Sequence, residues 1–360
     1  MLILSACLKR KKPTPNQLGL PTVRFVFACC REGKRLEAKI ANIKNFNYPA
    51  NKLQIIAVSD DADKETLNVL KKAENQRELI LLENPRRLGK VAALAKALKG
   101  CDSDIFVVTD ADTLLEPDDL IKLVTPFQNQ QVSATTGIIR YVNIGETGIS
   151  KSQGIYWKFE ILTRRIESIT GNLIGLTGAV YAIRPKLFNP HDPRFADDLL
   201  AALQAREKGG KVYLIEEISG RDFSPTTSGY MYKRRVRMMT QAMGLIFNNL
   251  KYLNPFRHSL LAFQVWSHKV LRWMYPWFML GMLITNIILA NAPLWQGILV
   301  SQITFYALGL VGGIASMYGK KILLASSVWY FLLSGTASII ALVNVIRGKH
   351  FATWEETARR

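Results

Sequence analysis

From Val23 to about Gly100, short apolar runs alternate with longer amphipathic stretches. "VRFVFA" precedes a charged run to Phe46, "LQIIAV" precedes Lys64–Glu74, "LILL" precedes Leu88–Leu98, and "IFVV" leads into Asp110 and Asp112. The short runs read as buried strands and the periodic stretches between them as helices. Strand and helix in alternation predict a parallel sheet covered by helices on both faces. Ligands of such sheets sit beyond the carboxyl ends of the strands. Asp110, Asp112 and, at the end of "IIAVSD", Asp60 all fall there.

Past Asp112 the pattern is less regular. Glu116-Pro117-Asp118-Asp119 reads as a helix start with acids placed for the helix dipole. "VSATTGIIRYV" reads as a strand, Gln153–Ile169 as an amphipathic helix and "LTGAVYAIRP" as a strand ending at Pro185. "FADDLLAALQAREKGGKVYLI" reads as a loop, a helix capped by Asp197 or Asp198, a Gly-Gly stop and a strand. "GYMYKRRVRMMTQAMGLIF" is a basic helix, and "NPFRHSLLAFQVWSHK" an amphipathic helix suited to a membrane interface.

The last part is different in kind. From Val270 to Ile346 the only charged residues are Arg272, Lys320 and Lys321. Three apolar segments, Val270–Ala290, Leu294–Met317 and Ile322–Ile346, each reach the ~20 helical residues that cross a hydrocarbon core. Trp273, Tyr275 and Trp277 suit an interfacial aromatic belt. The expected organisation is an N-terminal basic arm (1–20), an α/β domain (21–250), an interfacial helix (251–269), transmembrane helices (270–349) and a tail (350–360). The opening "MLILSACLKRKKP" reads either as a surface-lying arm or as the end of a longer membrane segment.

A net charge of +19 admits nucleic acid or an anionic membrane surface as partner. No zinc-knuckle spacing or RNP-like aromatic strand is present, so the reading is no nucleic acid; membrane lipids and anionic ligands account for the excess. Cys7, Cys29, Cys30 and Cys101 show no metal spacing and read as reduced thiols of a cytosolic domain.

Three constellations carry candidate chemistry. Asp110 and Asp112 suit a hard cation such as Mg²⁺ or Mn²⁺ held jointly with substrate phosphates, or else form a capping or turn pair. Asp198, in "ADD", is a cap or a general base. Arg234 and Arg237 share a helix face and could clamp a diphosphate, or anchor lipid headgroups.

In this order the motifs resemble the family 2 glycosyltransferases, in the membrane-bound branch of chitin, cellulose, hyaluronan and nodulation chitooligosaccharide synthases. The resemblance runs from Val23 onward through "YPANKLQIIAVSD", "RRLGKVAALAKAL", "VVTDADT", "GLTGAVYAIRPKLF", "ADDLLAALQAREKGGKV", "KRRVRMM" and "SHKVLRWMYP". It implies a GT-A type nucleotide-sugar-binding domain with a mostly parallel central sheet, followed by an interfacial helix and about three transmembrane helices. By the same resemblance Asp60 contacts uridine, Lys90 lies near the nucleotide, Asp110 bonds it and Asp112 holds the metal, Mg²⁺ or Mn²⁺. Asp198 is the base that deprotonates the acceptor. Arg234 and Arg237 neutralise the departing diphosphate, and Thr177 and Gly178 line the acceptor site. The implied activity is inverting, metal-dependent transfer from a nucleotide sugar, a UDP-sugar, to a glycan or lipid acceptor. Three positions depart from the family pattern. Met238 replaces a tryptophan that positions acceptors in polymerising members, "ACCRE" keeps only Glu32 of an Asn-Glu pair, and Ala196-Asp197-Asp198 replaces Thr-Glu-Asp.

The uncharged Asn291-Ala292-Pro293 loop and Lys320-Lys321 in the next agree with a multi-pass membrane protein whose catalytic domain is cytosolic, at a bacterial inner or plasma membrane. Two rival classes are a disabled nucleotide-sugar or glycan-binding membrane protein and a two-carboxylate glycoside hydrolase. The first sits poorly with retention of Asp110, Asp112 and Asp198, and the second leaves the parallel-sheet half unexplained.

Overall fold

The computed structural model of the 360-residue chain describes residues 19–141, 148–222, 227–320 and 322–351. Most of the expected N-terminal arm, Lys321 and the tail after Phe351 lie outside the described residues. The elements in order are β1 (Val23–Cys29), α1 (Arg35–Lys44), β2 (Leu53–Asp60), α2 (Lys64–Asn75), β3 (Ile80–Asn84), α3 (Lys90–Leu98), β4 (Ile105–Asp110), α4 (Asp119–Val124) and β5 (Val132–Tyr141). There follow α5 (Gly148–Ile169), β6 (Val180–Ile183), α6 (Asp197–Glu207), β7 (Lys211–Asp222), α7 (Ser228–Phe247), α8 (Ser259–Val265), α9 (Leu271–Ile288), α10 (Pro293–Met317) and α11 (Leu323–Ile346). The chain divides into two compact units: one runs up to Arg140 and includes Ile161–Asp222, and the other holds Tyr141–Glu160 and Phe223–Phe351.

The first unit is built on a seven-stranded sheet of order β3-β2-β1-β4-β6-β5-β7. β3, β2, β1 and β4 are parallel, while β6 is antiparallel to both β4 and β5. The sheet is therefore mostly parallel but mixed, with β6 reversed relative to β4 and β5. β1 is buried along its whole length because helices cover both faces. One face packs Phe25, Phe27, Val107 and Ala57 against Leu36 and Ile43 of α1 and Leu70 of α2. Arg24 survives in this apolar strand because its guanidinium bonds the carbonyls of Ala97, Lys99 and Gly100, closing the end of α3.

Several boundaries differ from the pattern-based ones. α5 starts at Gly148, a full turn before Gln153, because the polar residues of its first turn carry no apolar stripe to announce it. β6 is only Val180–Ile183; the preceding "LTG" is loop. α6 is not capped by an aspartate: its N-cap is Ala196, and both aspartates stand in the first helical turn.

In the second unit α11 packs against α7, α9 and α10. Gly312 of α10 lets the two helix backbones nearly touch, since a Cβ there would sit 2.1 Å from the Ala325 carbonyl oxygen. Among the described residues two helices, α10 and α11, are long and apolar enough to cross a membrane; α9 falls short of that standard. Arg272, Pro276 and Asn286 lower its apolar content. The residues expected to form the interfacial helix, 251–269, hold α8. α8 passes through a π-turn at Trp266–Val270 directly into α9.

Candidate active site

The carboxyl ends of β2 and β4 supply the first acids. Asp60, the last residue of β2, is 1% exposed. Its Oδ1 accepts from Asn84 Nδ2 at 3.1 Å and the Leu88 amide at 2.9 Å, and its Oδ2 from the Gly89 amide at 2.7 Å. Gly89 has φ +92°, which a side chain would strain. The carboxylate and the glycine together fix the tight entry into α3, whose first residue is Lys90. The uridine contact implied for Asp60 thus falls on a carboxylate already occupied by the chain's own donors.

Lys90 is the centre of the site. Its Nζ donates to Asp110 Oδ1 at 2.8 Å and to the Gly178 carbonyl at 2.8 Å, and pairs with Asp197 Oδ2 at 3.4 Å. Burial opposes charge on this ammonium, but the carboxylates of Asp110, Asp197 and Asp198 outweigh it and hold the pKa above the ordinary lysine value. Asp197 in turn accepts from the Tyr181 hydroxyl at 2.9 Å. Burial first, and then Asp197, push the Tyr181 phenol well up, so it stays a donor.

These groups meet because β6 runs antiparallel to β4. Thr109 pairs with Val180, and the Asp110 amide donates to the Ala179 carbonyl at 3.2 Å. The start of β6 is thereby set beside the end of β4. Asp198 Oδ1 accepts from the Leu199 amide at 2.7 Å, while its Oδ2 would lie 3.6 Å from a Cβ placed on Gly178. Gly178 therefore leaves open the space that Asp198 and Lys90 border. Thr177 is turned inward at 3% exposure: its hydroxyl donates to the Gly137 carbonyl and accepts from Arg164.

Asp110 and Asp112 stand on a tight turn closed by the Thr113 amide donating to the Asp110 carbonyl at 3.2 Å. Asp112 is exposed, and the Asp110 side chain is 43% exposed. Among the described residues no group of three or more His, Cys, Asp or Glu side chains is placed to hold a metal ion. An outward carboxylate with a second one two residues before it instead suits a hard cation that brings phosphate oxygens as its other ligands.

Arg234 and Arg237 lie on α7, in the second unit, both partly exposed. Arg235 between them is directed into that unit. Its guanidinium stacks 4.8 Å from the Tyr330 ring centre and 5.1 Å from that of Tyr156. Met238 is 51% exposed. The structure thus gathers Lys90, Asp110, Gly178 and Asp198, and it adds Asp197 and Tyr181, which pattern reading missed. Asp197 was visible only as a possible cap. Tyr181 reads as one more apolar position in a strand, and nothing in its neighbourhood marks it.

The family model described as Glycosyl transferase family 2 matches residues 25–190. The poly-beta-1,6-N-acetyl-D-glucosamine synthase of Staphylococcus aureus (strain COL) is 27% identical over 134 residues, covering 37% of this chain and 32% of that synthase. An N-acetylglucosaminyltransferase of Mesorhizobium japonicum is 29% identical over 147 residues, covering 40% of this chain and 34% of the relative. The chain therefore spans about a third of the length of these relatives. Among solved structures, the mannosyltransferase PcManGT from Pyrobaculum calidifontis, in complex with GDP-Man and Mn²⁺, aligns over 94% of this chain and 92% of its own. Its TM-score is 0.66 at 21% identity, which establishes a shared fold of the GT-A type. The glycosyl transferase family 2 match covers Asp60, Lys90, Asp110, Asp112, Thr177 and Gly178 and stops before Asp197, Asp198 and the basic helix α7.

Proposed function

We propose that this chain is an inverting membrane glycosyltransferase that moves a sugar from a nucleotide sugar, a UDP-sugar, to a glycan or lipid acceptor. The observation that carries the reading is the convergence on Lys90 of Asp110 from β4, the Gly178 carbonyl before β6 and Asp197 from α6, with Asp198 facing the same opening. Such a site offers a buried cation for a diphosphate and, next to it, a carboxylate for an acceptor hydroxyl.

The chemistry follows from those placements. Breaking a glycosyl–phosphate bond leaves negative charge on the departing diphosphate, and fixed positive charge stabilises it as it develops. Lys90 supplies that charge from a largely buried position, its side chain 16% exposed. For Arg234 and Arg237 the same duty rests on the resemblance of "RRVRM" to the family's basic motif alone. Asp112 would hold Mg²⁺ or Mn²⁺, which supplies Lewis-acid neutralisation of the diphosphate when bound, and Asp110 would bond the nucleotide. Asp198 takes the proton of the acceptor hydroxyl as the oxygen attacks the anomeric carbon from the face opposite the diphosphate. Gly178 gives the acceptor room and Thr177 fixes the turn behind it. Asp60 serves the nucleotide through the Leu88–Gly89 entry that it holds.

The membrane part of the proposal rests on burial. Within their most apolar windows only 28% of α10 and 33% of α11 is buried. α9 joins them as a third span: Leu280, Ile284, Ile287 and Ile288 are exposed, while Asn286 is buried and donates to Gln302 of α10 at 2.8 Å. A polar pair shared between helices is compatible with a lipid surround. The α/β unit is then cytosolic, where nucleotide sugars are available.

The test is release of UDP from a panel of UDP-sugars by membranes containing the protein, with and without Mn²⁺ or Mg²⁺. Metal-dependent release from one donor, lost in Asp198→Asn, supports the transferase and identifies its sugar. Binding of a donor without any release would replace it with a disabled nucleotide-sugar-binding protein.

A further inference from the structure

Two side chains of α1 bond the inward side of the turn that carries Asp110 and Asp112. Burial alternates along it: Ala111, Thr113 and Leu115 are buried, whereas Asp112 and Leu114 are exposed. The inward side meets α1. Lys39, at 0% exposure, donates to Thr109 Oγ1 at 3.2 Å and to the Thr113 carbonyl. Asn42, three residues on and so on the same helix face, donates to the Leu115 carbonyl at 2.7 Å and accepts from the Leu115 amide at 3.0 Å. The Lys39 ammonium lies 5.4 Å and 5.9 Å from the ring centres of Phe25 and Phe27.

An ammonium buried against two phenyl rings carries a desolvation cost that a methionine of similar length would avoid. Packing therefore does not account for lysine at this position. What the lysine adds is a bond to each flank of the Asp110–Asp112 pair, one at Thr109 near the end of β4 and one just past Asp112.

We infer that Lys39, assisted by Asn42, is a positioning residue that clamps the inward side of the carboxylate turn, so that Asp110 and Asp112 face outward in one arrangement for a metal-bound diphosphate. What the turn binds rests on the function proposed above; the clamp itself rests on α1. Lys39 touches no reacting group and acts through the backbone of the turn. The effect is preorganisation: a carboxylate misplaced by about 1 Å is enough to lose much of a ligand interaction.

The experiment uses the full chain in detergent, with Lys39→Met and, should that variant fail to fold, Asn42→Ala. Two readouts are taken: backbone amide exchange at Thr113 and Leu115, and affinity for UDP in the presence of Mn²⁺. Lys39→Met should melt at or above the wild-type temperature. Exchange in the turn should quicken ~10-fold while Phe106–Val108 in β4 is unchanged, and Mn²⁺–UDP affinity should fall ~10-fold, as expected for losing the Lys39 hydrogen bonds. UDP affinity without metal should change less. Unaltered exchange in the variant would show that the turn holds itself, and quickened exchange with unaltered Mn²⁺–UDP affinity would confine Lys39 to a packing role; either overturns the inference. Failure of the wild type to bind Mn²⁺–UDP sinks the proposed function instead, and the exchange rates still decide whether α1 clamps the turn.

Discussion

At the scale of single residues the proposed function assigns separable duties to two aspartates. Asp198 borders the space left by Gly178, and Asp112 stands exposed on the turn after β4. Asp198→Asn should leave donor binding nearly intact and lower turnover roughly 100-fold or more, the scale of a lost general base. Asp112→Ala should instead weaken metal-dependent donor binding, and equal loss of binding in both variants would merge the roles. Lys39 adds a prediction about pH. Burial lowers its pKa to about 7, against a smaller opposing pull from Asp110. Below about 7 both folded and unfolded chains hold this proton and the full burial cost is present. Above it the folded chain releases the proton before the unfolded one does, so stability rises toward the ordinary lysine range. Thermal melts of wild type and Lys39→Met between mildly acidic and alkaline pH should show that rise only in the wild type.

At the scale of elements, legibility followed periodicity. β1 through β4 and their helices were readable because each strand is a buried apolar run and each helix a stripe. α5 began early and β6 proved short because polar or small residues at their edges leave the period undefined. α9 was read as a span from its low charge, yet its Arg272, Pro276 and Asn286 set it apart from α10 and α11. The α10–α11 pair depends on Gly312, where the Ala325 backbone leaves no room for a side chain. Gly312→Val should force the helices apart and lower the melting temperature in detergent by several degrees. Gly297→Val, where nothing lies within 4 Å, is the matched control and should melt as wild type.

For the whole molecule the question is what surrounds the apolar helices. Two helices that are mostly exposed and apolar, preceded by exposed Phe256, Phe263 and Trp266, expect a bilayer. The protein should remain in the membrane pellet after an alkaline carbonate wash and enter solution only with detergent; release by carbonate would remove the spans from the proposal.

The sequence by itself determined the order of strand and helix in the α/β unit, the placement of acids beyond strand ends and the apolar character of the final helices. All three are local consequences of residue periodicity and charge. Only the tertiary structure decided that β6 lies antiparallel beside β4, which brings Gly178 and Asp197 to Lys90 and identifies Tyr181 as a partner of the site. It likewise decided that Lys39 reaches the carboxylate turn from a helix distant in sequence. Strand neighbours and buried ion pairs are set by contacts between residues far apart along the chain, and no periodicity within either segment records which partner it will meet.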